Sequence, residues 1–185
     1  NKYIMSPKDL CTIEFMDKII DAGVTVFKIE GRARSAEYVK TVARCYRDAA
    51  DAVLAGKYTP EYASELKERL STVFNRGFWD GYYQGARLGE WSEVYGNKAT
   101  KSKKYIGKVT NYFSNIGVAE ILIETGSISV GDNVIIIGPS TGVVEVTVEE
   151  IRVDLKSTES AVKGEYCSIA VPEKLRRSDK LYLFQ

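Results

Sequence analysis

Two hydrophobic rhythms divide this chain. In three segments before residue 75, apolar residues recur at every third or fourth position, the period of one helical face. From Tyr105 they alternate singly, as in half-buried strands. Tyr3, Ile4 and Met5 are strand-like, and Ser6-Pro7 punctuates. Ile13, Met16, Ile19 and Ile20 predict a helix, with Asp9 and Glu14 early for the dipole and Ala22-Gly23 as its end. Val24, Val26, Phe27 and Ile29 predict a short buried strand that ends in Glu30, Arg32 and Arg34 around a glycine. Ser35 then caps a long helix with Glu37 in its first turn. Its apolar face runs through Val39, Val42, Ala43, Tyr46, Ala49, Ala50, Val53 and Leu54, and Gly56 stops it. Thr59-Pro60 opens another helix, striped by Tyr62, Ala63, Leu66, Leu70, Val73 and Phe74. Strand, helix, strand, helix is the order of a parallel α/β layer.

Asn75 to Gly85 mixes glycines with Phe78, Trp79, Tyr82 and Tyr83, and predicts a packed loop. Such rings either stack on a ligand or plug a seam; the second reading is favoured because large aromatics mainly supply buried area. Residues 86–104 are polar and aperiodic. Six strands follow, near 105–113, 117–124, 132–138, 143–153, 165–171 and 180–184, separated by Gly, Asn and Asp turn signals. Six strands in this space suggest a small closed barrel, since closure removes exposed edges. The fold class expected is therefore α+β, with an α/β part over 1–95, a linker over 96–104 and a six-stranded β-barrel over 105–185.

Composition narrows the chemistry. The net charge is +1, and from Lys101 onward eleven basic residues face eleven acidic ones, so charge alone supports no nonspecific grip on nucleic acid. Lys174, Arg176 and Arg177 form a local basic cluster that reads as a solvated loop. No apolar run approaches a membrane span, and no signal-peptide pattern opens the chain. The chain starts at Asn1 and reads as a piece of something longer. Three scattered cysteines argue against a disulfide framework and for a reducing cytoplasm. Cys45 reads as a packing residue. There is no histidine, which excludes Ser-His or Cys-His catalysis and His-based zinc binding within these residues. Charge at a strand end suits a site at the carboxyl edge of a parallel sheet, but an ion-pair knot explains Glu30, Arg32 and Arg34 equally well.

Ser6-Pro7-Lys8-Asp9-Leu10-Cys11, the stretch Phe27 to Val39, Asn75-Arg76-Gly77-Phe78 and Gly81-Tyr82 together resemble the collagenase-like peptidase family U-32 over residues 1–95. Ile128 to Val134 looks like that family's C-terminal β-barrel, and is similar to the second-domain barrel of elongation factors. The resemblance implies that residues 1–95 are the end of a TIM-like barrel domain whose earlier part belongs to the same parent chain. It implies a parent that is either a peptidase or a prephenate-dependent enzyme hydroxylating tRNA or rRNA; other members act in oxygen-independent ubiquinone hydroxylation. It implies a [4Fe–4S] cluster on four cysteines, with Cys11 as the last ligand and the other three upstream. The fragment by itself holds no complete metal site on this reading.

Three functions follow as expectations. In the first, the parent is an iron–sulfur RNA hydroxylase: Glu30, Arg32 and Arg34 line its pocket, the arginine forks suit a dicarboxylate or phosphate, and Arg76, Phe78 and Tyr82 touch substrate. In the second, it is a peptidase with Glu30 activating water. In the third, the barrel is a binding module for RNA, protein or a small ligand. On any of them residues 1–185 alone are catalytically inert.

Overall fold

The computed structural model describes residues 7–85, 88–92 and 96–184. It is a mixed helix-and-sheet chain of two units, Asn1–Thr100 and Lys101–Gln185. Among the described residues of the first come a two-residue strand, β1 (Asp9–Leu10), then a 3-10 turn (Ile13–Phe15) and α1 (Met16–Asp21). The helices α2 (Ala36–Leu54) and α3 (Pro60–Ser71) follow, and then β2 (Phe78–Trp79). β2 lies parallel to β1, with Asp9 opposite Phe78 and Leu10 opposite Trp79.

Packing decides which periodic residues are used. On α2 the buried positions are Val42, Cys45 and Ala49. They meet Ile13 from the turn before α1, Met16 from the start of α1, and Leu66, Leu70 and Val73 from α3 and its end. Leu54 stays 74% exposed, so the stripe turns toward Cys45 rather than toward the end of the helix. Thr59 caps α3: its Oγ1 accepts from Tyr62 N at 3.2 Å, with Pro60 at the first helical position.

Two elements differ from expectation. The Val24–Glu30 stretch forms no strand and pairs with none among the described residues. Val26 is 81% exposed, while Phe27 and Ile29 turn inward onto the helical core. A parallel strand needs a hydrogen-bonded neighbour on its edge, and periodicity cannot report whether one is present. Asp9, read as a helix N-terminal charge, instead belongs to β1. The strand expected at Tyr3–Met5 lies outside the described residues.

The second unit is all β. Its strands are β3 (Lys103–Phe113), β4 (Val118–Ile123), β5 (Ser127–Ser129), β6 (Asn133–Gly138), β7 (Gly142–Thr147), β8 (Ile151–Val153), β9 (Lys156–Thr158), β10 (Ser160–Val162), β11 (Tyr166–Ala170) and β12 (Lys180–Phe184). Eight of them form one sheet in the order β7-β6-β12-β3-β4-β11-β8-β9, and β5 pairs with β10. The expected strand at 143–153 is two strands, because Val148–Glu150 leave the ladder between them. Alternation places Ile106, Val109, Ile121, Ile123, Ile136, Ile169 and Leu181 in a single dry core.

One buried acid fixes a corner of this unit. Asp179 is 2% exposed; its Oδ2 accepts from Thr141 Oγ1 at 2.6 Å and from Arg176 N at 2.8 Å. Its Oδ1 lies where a Cβ on Gly138 would be, 1.8 Å away, so only glycine lets the β6–β7 turn close on the carboxylate. Gly138→Ala is expected to destabilise the second unit by about 3 kcal/mol, read as a lower midpoint in urea denaturation.

Candidate functional site

The site grows from Asp9. Its Oδ2 accepts from Arg76 N at 2.8 Å, and its Oδ1 faces Arg34 Nη2 at 3.4 Å. Both side chains are mostly buried, Arg34 at 18% and Asp9 at 25% exposure. The guanidinium also lies 4.2 Å from the Phe74 ring centre and 5.2 Å from that of Tyr38. A planar cation stacked on aromatic faces and aimed at a carboxylate is a geometry that lysine does not reproduce. The chain reaches it through a tight turn: Arg34 N donates to Gly31 O at 3.0 Å, and Ala33 sits at φ +57°. That left-handed backbone costs an L residue about 1–2 kcal/mol, which the Arg34 contacts offset.

Asn75 prepares the other side. It is 4% exposed; its Nδ2 donates to Val73 O at 2.9 Å and its Oδ1 accepts from Gly77 N at 3.0 Å. This turn delivers the Arg76 N–H to Asp9 and starts β2. Asp9 thus joins β1, the turn before α2 and the segment after α3.

Beside this junction runs a cleft of about 440 Å³, with Asp9, Thr12, Glu30, Arg34, Tyr46 and Tyr83 among its polar lining. Glu30 and Arg34 reach it, but Arg32 is not among its lining residues. Glu30 Oε1 accepts from Arg32 N at 2.7 Å, and the Arg32 guanidinium, 89% exposed, stands 3.9 Å from Glu30 Oε2. The expected cluster of three is therefore two separate features: a surface Glu30–Arg32 turn and a buried Arg34–Asp9 pair.

Cys11 follows β1 directly. It lines a neighbouring pocket of about 40 Å³ with Tyr46, Phe74 and Phe78. Tyr46 OH accepts from Thr12 N at 3.0 Å and lies 4.0 Å from Cys11 Sγ as a donor. Burial pushes the Tyr46 phenol up to about 12. Burial likewise raises the Cys11 thiol, against hydrogen bonds from the Ile13 backbone and Tyr46 that pull it back. Tyr58 secures the next residues: its OH donates to Ile13 O and accepts from Met16 N at 3.4 Å. Cys45 is buried in the helical core and Cys167 in the sheet core. Among the described residues no group of three or more His, Cys, Asp and Glu is arranged to hold a metal ion. For a four-thiolate cluster the fit is one ligand, Cys11, with a hydrogen-bond donor at its sulfur.

The other predicted contacts disperse. Arg76 acts through its backbone N–H, and Phe78 packs toward Cys11. Tyr82 is 62% exposed, edge-on to Trp79 with ring centres 5.2 Å apart, beside an open hollow shared with Tyr83 and Leu10. Lys174, Arg176 and Arg177 are exposed, and Arg176 N donates to Asp179. Pattern reading missed Asp9, Thr12 and Tyr46; Asp9's place inside Ser-Pro-Lys-Asp-Leu-Cys was the available signal. Among the described residues no helix is long and apolar enough to cross a membrane.

A helix-and-sheet chain with a polar cleft in its helical unit is the class this geometry defines. Residues 1–93 match peptidase family U32, and the chain belongs to that family. It is 58% identical over 184 residues to a collagenase of Porphyromonas gingivalis, covering all of this chain and 44% of that protein. It is 36% identical to an uncharacterized protease of Methanocaldococcus jannaschii over 100% of this chain and 45% of that protein. It is 33% identical over 150 residues to the tRNA hydroxylation protein P1 of Bacillus subtilis, covering 80% of this chain and 35% of that protein. The chain spans about half the length of the collagenase and protease relatives it matches.

Two outcomes are expected. Asp9→Ala destabilises the first unit by about 2–3 kcal/mol by stranding Arg34, and Arg34→Lys loses most of the same stability; urea denaturation reads both. A thiol reagent at pH 8 modifies none of the three cysteines of the folded chain at the rate of a free thiol, and all three after denaturation, because each is buried with its thiol raised. Rapid labelling of Cys11 in the native chain would contradict this.

Proposed function

We propose that these residues are the C-terminal portion of a U32 protein that hydroxylates tRNA or rRNA, with prephenate as its required metabolite. Residues 1–95 form the end of a TIM-like α/β domain, and residues 105–185 form a small β-barrel that binds substrate. The single observation that supports this reading best is Cys11: a thiol set immediately after β1, beside the cleft, with a tyrosine hydroxyl directed at its sulfur. Cys11 would supply one thiolate to a [4Fe–4S] cluster, whose part in the chemistry is electron transfer. Arg34, which lines the cleft beside Asp9, is the cation for a carboxylate of the small substrate, while Arg32 stands outside the lining and pairs with Glu30. The setting is the reducing cytoplasm that three buried, unpaired thiols suit.

A second reading is favoured by the collagenase named among the relatives. In it the whole protein is a hydrolase and Glu30, on the cleft rim, activates water.

The whole protein, purified without oxygen, separates the two. Hydroxylation predicts about four iron and four sulfide per chain, a loss of that content in Cys11→Ser, and loss of pyrimidine hydroxylation in cellular RNA by mass spectrometry. Gelatin cleavage that disappears in Glu30→Gln, with cluster content untouched by Cys11→Ser, would establish the second reading instead.

A further inference from the structure

The second unit carries equal numbers of acidic and basic residues, yet they are not evenly spread. From Gly96 to Ala119 there are five lysines and no acid. Four of these lysines, Lys101, Lys103, Lys104 and Lys108, lie on or beside β3. Register and alternation sort them. Ile106, Val109 and Leu181 point into the core, so Lys103, Tyr105 and Lys108 of β3 share the outer face with Lys180, Tyr182 and Phe184 of β12. Across the strands Lys103 stands opposite Phe184, Tyr105 opposite Tyr182, and Lys108 opposite Lys180. A mixed lysine–phenylalanine pair, a tyrosine pair and a lysine pair thus follow one another along this face, with a bulge on β3 between the last two.

The rings are held as platforms. Tyr105 and Tyr182 meet edge to face with centres 5.6 Å apart. Lys103 Nζ stands 5.1 Å from the Tyr182 ring centre, and Lys101 Nζ 5.0 Å from that of Phe184. Two acids lie near them: Glu124 is taken by Lys108 at 2.7 Å and by the Tyr105 hydroxyl, and Glu145 lines the pocket beside Lys101 and Phe184. Lys180 makes no ion pair among the described residues, and it stands opposite Lys108, whose own charge Glu124 meets. Next to Phe184 opens a pocket of about 210 Å³ lined by Lys101, Asn133, Ile135, Glu145 and Thr147. There Thr147 Oγ1 donates to Asn133 Oδ1 at 2.9 Å, so the Asn133 amide keeps its N–H donors for a base edge.

We propose that this β3–β12 face binds single-stranded RNA. Bases stack on Tyr182 and Phe184, one of them entering the Phe184 pocket, while Lys101, Lys103 and Lys180 take phosphates. Aromatic platforms interleaved with lysines suit unpaired bases, since a duplex hides the ring faces that the tyrosine and phenylalanine would meet. An acidic protein would satisfy the lysines but gives the rings no matching planar group. The proposal rests on the RNA reading above for the class of polyanion; it is independent of the cluster.

Fluorescence anisotropy of the 185-residue chain with fluorescein-labelled oligouridine of twelve nucleotides tests it. Binding is expected to weaken with salt, with a log–log slope of about −2, that is about −0.7 per phosphate for three lysines. Tyr182→Ala with Phe184→Ala weakens binding at least tenfold at unchanged slope, whereas Tyr182→Phe with Phe184→Tyr retains it and guards against a folding defect. Lys101→Gln with Lys103→Gln flattens the slope by about 1.4, while Lys174→Gln with Arg177→Gln leaves it as it was. Absence of binding at low salt, equal affinity for a twelve-base-pair RNA duplex, or insensitivity to the aromatic pair would each overturn the proposal. RNA hydroxylation by the whole protein alongside a non-binding face would sink this inference alone; binding without hydroxylation would sink the enzymatic reading alone.

Discussion

The helical unit depends on one carboxylate. Asp9 sits on a strand only two residues long, too short to hold its own position. Its two oxygens answer this by reaching outward, one to the guanidinium of Arg34 and one to the backbone of Arg76. The cleft exists because those three segments meet. Its lining comes from β1 and Thr12, from the stretch before α2, from α2 itself, and, with Tyr83, from the segment after β2. The aromatic sandwich on Arg34 lowers the dielectric around the pair and lets the attraction count for more than it would at the surface.

Much of the fold was legible because it is local. The face of α2, the Thr59 cap and the alternating strands of the second unit all follow from spacing within one segment. The two-residue parallel pair of β1 and β2 was not legible, because its partners are separated by nearly seventy residues and neither carries a strand-length signal. The Val24–Glu30 stretch misled for the opposite reason: its composition is that of a strand, and only the absence of a paired edge among the described residues says otherwise.

The site was half legible. Clustered charge at Glu30, Arg32 and Arg34 drew attention to the right turn, and both a pocket and an ion-pair knot were open readings. The knot proves to be two pairs: Glu30 with Arg32 at the surface, and Arg34 with an acid twenty-five positions earlier. Sequence proximity made Glu30 the obvious partner, but the Gly31–Ala33 turn sends Arg34 the other way. Cys11 was singled out by its motif. Its burial beside Tyr46 is a three-dimensional fact that no spacing reveals. In the second unit, overall charge balance hid a lysine- and ring-bearing face that becomes visible only when register sorts residues by side.

The central claim is that the Asp9–Arg34 pair, rather than Glu30 with either arginine, holds the helical unit in shape. A double-mutant cycle of Asp9→Ala and Arg34→Met, followed by urea denaturation, measures it most directly. A coupling of about 1.5–3 kcal/mol is predicted, with a parallel cycle of Glu30→Ala and Arg32→Met giving less than about 0.5 kcal/mol. Additive effects at Asp9 and Arg34, or a larger coupling in the Glu30–Arg32 cycle, would contradict it.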